Sequence, residues 1–278
     1  MRLAMVGIFF DGYSDMWEDF LILLRKYWTE CPYDLYIVNQ IKDVPYAKQY
    51  NVKIIHAGED AEYSKKVLTA IDKIDADYYL ILFEDYLFGK KISRYVLNST
   101  LNFIEENKVI YYGFQLDLFF KEKTSDRRIQ INKRAEYTMV SVYNIWEKGF
   151  LKKCIGKDNY NAWIFEGVYA KAPRVHTDEF LKGCYREINN PLCLYHGALQ
   201  GKLLQSTIKH FKSEGYEFKT NREVLGNQAA IMHGLKVIAA KTLPLSIKRI
   251  MKTYFKSQSV TGKYDKEIDD EIHNLGLD

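Results

Sequence analysis

Hydrophobic and polar positions along this chain alternate between two periods. Residues 3–10, LAMVGIFF, form an unbroken apolar run that stops at Asp11-Gly12. A run with both faces apolar is what a central parallel strand needs. In 15–28, Phe20, Leu23, Leu24, Tyr27 and Trp28 recur at helical spacing, with Asp15 as a cap, and Cys31-Pro32 ends the helix. Short strands follow at Leu35–Asn39 and Val52–His56. Residues 60–74 read as a helix with Val67, Leu68, Ile71 and Ile74 inward. The strongest strand, YYLILF at 78–83, runs directly into Glu84-Asp85-Tyr86. A helix over Ile92–Glu105 and a strand over Val109–Phe114 complete the first 115 residues. Strands alternating with helices predict a mostly parallel α/β sheet flanked by helices.

Beyond residue 115 the alternation loosens. Lys121–Arg134 is charged and reads as a loop, Thr138–Trp146 as a strand and Lys148–Ile155 as a short helix. NAWIFEG at 161–167 falls at a helix start or loop. Leu192–Tyr195 is a short strand, and Leu199–Ser213 reads as a helix. No repeat is present.

The length of 278 residues suits one large domain, or one domain plus an appendage. The formal charge of +4 is too small to point to nucleic acid, but its distribution is uneven. No acidic residue lies between Glu223 and Asp265. In 246–256, Ile247, Ile250, Met251, Tyr254 and Phe255 share one helical face, and Lys248, Arg249, Lys252 and Lys256 share the other. A basic face opposite an aromatic-apolar one suits a helix lying on anionic lipid; the competing reading is a helix packed on its own domain with a solvated basic face. The predicted division is therefore residues 1–222 as the α/β domain and 223–278 as a basic helical segment with a loosely held acidic end.

Several classes are excluded. Cys31, Cys154, Cys184 and Cys193 form no C-x-x-C pair. G-x-x-x-x-G-K-[ST], G-x-G-x-x-G, G-x-S-x-G and H-E-x-x-H are all missing. The opening MRLAMVGIFFDGYSD does not read as a signal peptide, and no apolar run reaches the roughly 18 residues of a membrane span. The expected setting is the cytoplasm, with reduced thiols. Tyr, Phe and Trp make 15% of the chain. That excess suits sugar or base stacking as well as an aromatic core.

Ligands of open α/β sheets bind outside the carboxyl ends of the strands. Asp11 and the Glu84-Asp85 pair stand there. Adjacent carboxylates need solvent, hydrogen bonds or a cation, and a divalent metal bridging a diphosphate is one such cation.

Four stretches carry a resemblance: the first strand with Asp11, followed by Trp17 and KYW at 26–28 before CPYDLYIVN; YYLILFEDY at 78–86; SVYNIWEKGFLKKC followed by NAWIFEG; and Tyr195-His196-Gly197 with Gly201-Lys202. In order and spacing they resemble a bacterial glycosyltransferase of GT-A type, of the sort that builds capsule or lipopolysaccharide. Glu84-Asp85 departs from a true D-x-D motif, so metal dependence is open.

The resemblance implies a Rossmann-like GT-A fold and a nucleotide-sugar donor whose base and ribose lie near Asp11. It implies a glycan or lipid-linked glycan acceptor and a divalent metal (Mg2+ or Mn2+) on the diphosphate. Asp85, with Glu84 beside it, would hold the metal, His196 would be a metal ligand or a phosphate donor, and Tyr86 and Lys202 would contact substrate. Glu166 would be the base that takes the acceptor proton, and Trp163 a platform for a sugar ring. Arg174, Arg127 and Arg128 are further anion contacts. Each has a structural alternative: a core aromatic for Trp163, a capping or salt-bridging carboxylate for Glu166, a structural histidine for His196, solvated bases for the rest. An enzyme at the inner face of the cytoplasmic membrane, anchored through 236–256 and binding no nucleic acid, is the expectation. The alternatives are a sugar-phosphate nucleotidyltransferase, disfavoured by the single glycine and lack of a basic residue in FFDGYSD, and a noncatalytic assembly protein on the same scaffold.

Overall fold

A computed structural model describes residues 1–114, 128–131, 138–187, 191–226 and 263–278. The basic stretch 236–256, the residue Arg127 and most of the loop expected at 121–134 lie outside the described residues.

The expected α/β architecture is present. The central sheet has eight strands: β1 (Leu3–Ile8), β2 (Leu35–Asn39), β3 (Val52–His56), β4 (Tyr78–Leu82), β6 (Tyr111–Phe114), β7 (Arg128–Gln130), β8 (Asn144–Glu147) and β9 (Cys184–Glu187). A short β5 (Tyr86–Phe88) pairs outside it. The order is β3-β2-β1-β4-β8-β6-β9-β7. β1, β2, β3 and β4 pair in parallel, as do β6 and β9, whereas β8 runs antiparallel to both neighbours and β7 antiparallel to β9.

Alternate residues of each strand feed two apolar layers. Ala4, Val6 and Ile8 of β1 and Tyr79 and Ile81 of β4 pack with α2 (Tyr63–Lys73), α4 (Lys148–Ile155) and α5 (Ala162–Lys171). Met5, Leu80 and Leu82 face α1 (Ser14–Tyr27) and α3 (Arg94–Glu106). Because both faces are covered, the strands read as continuous apolar runs.

Several boundaries differ from expectation for local reasons. Asp15 does not cap α1; Tyr13 precedes it without a side-chain bond, and the Asp15 carboxylate is taken by Arg222 and Thr220. The strand expected over 138–146 is confined to β8. Tyr143 takes a left-handed conformation (φ 64°), and the Asn144 amide donates to Val140 O at 2.6 Å and Val142 O at 3.1 Å, which diverts the backbone from a ladder. The helix expected from Leu199 begins only at α6 (Gln205–Ser213). A hairpin of β11 (Ala198–Leu199) and β12 (Lys202–Leu203) precedes it, turned by Gln200 (φ 51°) and Gly201 (φ 81°).

The acidic end is not loosely held. It forms α7 (Asp265–Asn274), whose Ile268 and Ile272 join the core layer of α5. The approach is close: a Cβ on Gly167 of α5 would stand 2.2 Å from Ile268 Cδ1. Spacing concealed this because the apolar positions of DKEIDDEIHN are only two, but both point one way. None of the described helices is long and apolar enough to cross a membrane.

Candidate active site at the carboxyl ends of β1 and β4

The chain leaves β1 towards β2 and β3 on one side and returns to β4 on the other. The loops after β1 and β4 therefore diverge and open a crevice between them, where open α/β sheets hold ligands.

Asp85 follows β4, and its peptide oxygen accepts the N–H of Gly197 at 2.6 Å. The antiparallel pairing of β5 with β10 (Leu194–His196) sets His196 opposite Tyr86. Asp85 Oδ2 then lies 3.6 Å from His196 Nε2, with 21% and 36% of the two side chains exposed. The imidazole stacks on the Tyr86 ring at 4.9 Å and 15°. A Cβ on Gly197 would meet Asp85 O at 3.1 Å and Leu87 Cδ1 at 2.8 Å, so this close approach needs glycine.

Glu166 lies on α5, whose N-cap Asn161 accepts the amides of Trp163 and Ile164. Its Oε1 accepts from Ser141 Oγ at 2.7 Å and Ser141 N at 3.3 Å. Burial raises its pKa above the usual carboxylate range, against the lowering effect of the Ser141 bonds. The Tyr86 phenol is likewise pushed up by burial first and then by the charges of Asp85 and Glu166. Each of the two carboxylates thus acts on the Tyr86 phenol. Trp163 is 45% exposed and one helical turn before Glu166.

The other expected residues sit differently. Asp11 is a brace: its carboxylate accepts from Asn39 Nδ2 and the amides of Gln40, Ile41 and Lys42, at 2.8–3.1 Å. Burial opposes its ionisation, but these donors outweigh it and hold its pKa below the usual value. Glu84 is buried and accepts Phe10 N at 3.1 Å. Lys202 is exposed and ion-paired with Glu223 at 2.7 Å. Arg128 belongs to the far edge strand, where it lies over Phe103 at 4.8 Å, and Arg174 sits in a short 3-10 turn whose backbone meets Leu277. Neither joins the crevice.

Two crevice residues escaped the sequence. Tyr13 follows β1 within a 3-10 turn, and Asp85 and Glu84 act on its hydroxyl. Arg222 lies over the Tyr13 ring at 3.9 Å, pairs with Asp15 through two nitrogens at 2.7 Å, and donates to Gly12 O and Gly201 O. No local signal marked Arg222, because its partners come from the other end of the chain. A cleft of about 460 Å³ opens beside it, lined by Asp15, Glu18, Tyr46, Lys219 and Thr220 among others. Arg222 and Asp15 themselves line it, and neither Asp85 nor His196 does.

As a cation site the crevice offers two donors, Asp85 Oδ2 and His196 Nε2. Among the described residues, no three His, Cys, Asp or Glu side chains gather to hold a metal. Two protein ligands fit an ion that takes its remaining ligands from phosphate oxygens and water.

No family model and no curated protein matches the chain. Among solved structures, it is similar to TarS 1–349 of S. aureus (11% identity, 61% of this chain and 54% of that chain, TM-score 0.44) and to the same fragment in complex with UDP-GlcNAc (11%, 61% and 53%, 0.43). It is also similar to CMP:2-keto-3-deoxy-manno-octonic acid synthetase complexed with CTP (10%, 67% and 88%, 0.37). The chain spans about half the length of the TarS fragment. With TM-scores below 0.5, these likenesses carry no chemistry over to this chain.

Proposed function

We propose that this chain is a GT-A type glycosyltransferase that moves a sugar from a nucleoside-diphosphate sugar to a hydroxyl of a glycan acceptor. The observation that carries this reading is the Asp85–His196 pair at the β1/β4 crevice, faced by Tyr86 and Tyr13. Among the described residues, Arg222 is ion-paired with Asp15 and Lys202 with Glu223, while Lys42 donates to the neutral Ser14 hydroxyl and keeps its charge. A diphosphate carries more negative charge than the single Lys42 ammonium offsets. Asp85 and His196 would hold Mg2+ or Mn2+ against it; when bound, the ion neutralises charge developing on the departing diphosphate.

The protein residues divide the remaining work. Glu166, with its raised pKa and an anchoring bond from Ser141, takes the proton of the acceptor hydroxyl. Trp163 offers a half-open ring one turn away for the acceptor sugar. Asp11 shapes the 40–42 loop that borders the donor. The acceptor is a surface-glycan precursor of the capsule or lipopolysaccharide kind, lipid-linked and met at the inner membrane face through the basic segment 236–256.

Binding and hydrolysis of a panel of UDP-, GDP- and CMP-sugars in the presence of Mn2+ test this reading. Failure of the whole panel to bind or turn over would sink it. Pyrophosphate release from a nucleoside triphosphate plus a sugar phosphate would instead assign a nucleotidyltransferase.

A further inference from the structure

Lys66 is 4% exposed, yet it carries a formal charge on the apolar stripe of α2, among Tyr63, Val67, Ala70 and Ile71. A buried lysine needs a partner. Its Nζ donates to Phe9 O at 2.8 Å and lies 5.8 Å from the Phe10 ring. On the other side, the N–H of Phe10 donates to the equally buried Glu84. Phe9 C=O and Phe10 N–H are the two ends of one peptide group, and in a trans peptide they point in opposite directions. The peptide dipole therefore lies between a cation at its oxygen and a carboxylate at its N–H.

We propose that Lys66 and Glu84 are a pair of positioning residues joined through the Phe9–Phe10 peptide, and that Glu84 serves the backbone rather than the substrate. This peptide is where β1 ends and the lining begins. Its plane fixes the departure of Phe10, Asp11, Gly12 and Tyr13, and hence the Tyr13 ring under Arg222. Burial and then Asp85 push the Glu84 carboxyl up to about 8, and burial pushes Lys66 down. The two bonds are therefore charge-assisted at both ends once Glu84 is ionised, and the thermal comparison belongs at about pH 9. The other charges on the pair are Asp85 at Glu84, and Glu62 and Asp11 at Lys66. The same geometry explains why Asp85 alone of the Glu84-Asp85 pair faces the crevice: Glu84 is turned inward to reach Phe10 N.

The inference rests on the proposed donor crevice only for its meaning, not for its test. Lys66→Met, Glu84→Gln, Lys66→Met/Glu84→Gln and Lys66→Arg are compared in two measurements. The first is the thermal midpoint of the free chain, which needs no ligand. Each single neutralisation leaves one buried charge without its counterpart and should lower the midpoint by about 5 °C or more. The double variant should recover most of that loss, and Lys66→Arg should retain part of the wild-type midpoint. A double variant whose loss equals the sum of the singles overturns the coupling. If the singles do not fold, a folded double variant still shows the coupling, and an unfolded one refutes it. The second measurement is UDP affinity by calorimetry with Mn2+. In the double variant the amide oxygen introduced by Glu84→Gln can still accept from Phe10 N and hold the peptide plane, so UDP should bind within about threefold of wild type, under 0.7 kcal/mol. A stable double variant with a tenfold weaker affinity would return Glu84 to the ligand. If wild type binds no UDP, the proposed function fails while the thermal cycle still decides the pairing.

Discussion

Asp85 Oδ2 stands 3.6 Å from His196 Nε2, though the two residues come from distant parts of the chain. The β5–β10 pairing brings them together by setting Tyr86 against His196, and the Gly197 amide locks the register through Asp85 O. One carboxylate and one imidazole are thereby held side by side at the end of a small two-stranded ribbon.

Replacing Asp85 by Asn or His196 by Ala should weaken Mn2+-dependent UDP binding by about 10–100-fold, the 1.5–3 kcal/mol scale of contacts to charged groups. Calorimetry with and without the metal checks this. Unchanged affinity in both variants would remove the pair from the site.

Glu166→Gln should lower kcat for sugar transfer by about 10²–10⁴-fold with a smaller effect on KM. A base works deprotonated, so wild-type activity should fall as pH drops through the Glu166 pKa. Burial has raised that pKa, so the acid limb should lie above the ordinary carboxylate value of 4.5. The limb should vanish in the residual activity of the variant. A pH–rate profile of both proteins reads this directly.

The α5–α7 contact predicts sensitivity to added volume. Gly167→Ala should destabilise the fold by about 1–3 kcal/mol through the clash with Ile268, and Ile268→Ala by about 2–5 kcal/mol through the cavity it leaves. Denaturant unfolding measures both. Wild-type stability in both would mean that α7 is not docked.

Glu271 gives α7 a pH dependence. Burial first, and then the neighbouring Asp158, push its pKa up to about 7 from 4.5. The sign follows from linkage. Protonated Glu271 docks at no charge cost, so its contribution is full below pH 4.5. It is lost as pH rises towards about 7, because the unfolded state ionises first. Glu271→Gln should therefore flatten the fall of the thermal midpoint across that window. A midpoint whose pH dependence is the same in wild type and variant would count against it.

The basic segment makes a separate prediction. Charge reversal at Lys248, Arg249, Lys252 and Lys256 should cut binding to anionic vesicles at least tenfold, since each basic residue contributes about 1 kcal/mol near such a surface. Transfer to a soluble acceptor should survive. Deleting the whole C-terminal region would not serve, because it would also remove α7 from the core. Vesicle sedimentation decides the matter, and full retention of binding would refute the membrane role.

By itself, the chain's pattern determined the parallel core. LAMVGIFF and YYLILF are apolar on both faces because helices cover both faces, and that requirement is local to each strand. It likewise placed Glu84 and Asp85 at a strand end. What it could not decide was which way each carboxylate turns. That depended on Phe10 N, the Asn39–Lys42 amides and the Gly197 amide, all distant in sequence. Lys66 left a trace, a lysine on an apolar helical stripe, whereas Arg222 left none. Periodicity reports burial, which each residue carries in its own side chain. The roles of buried charges are set by partners that only the folded chain supplies.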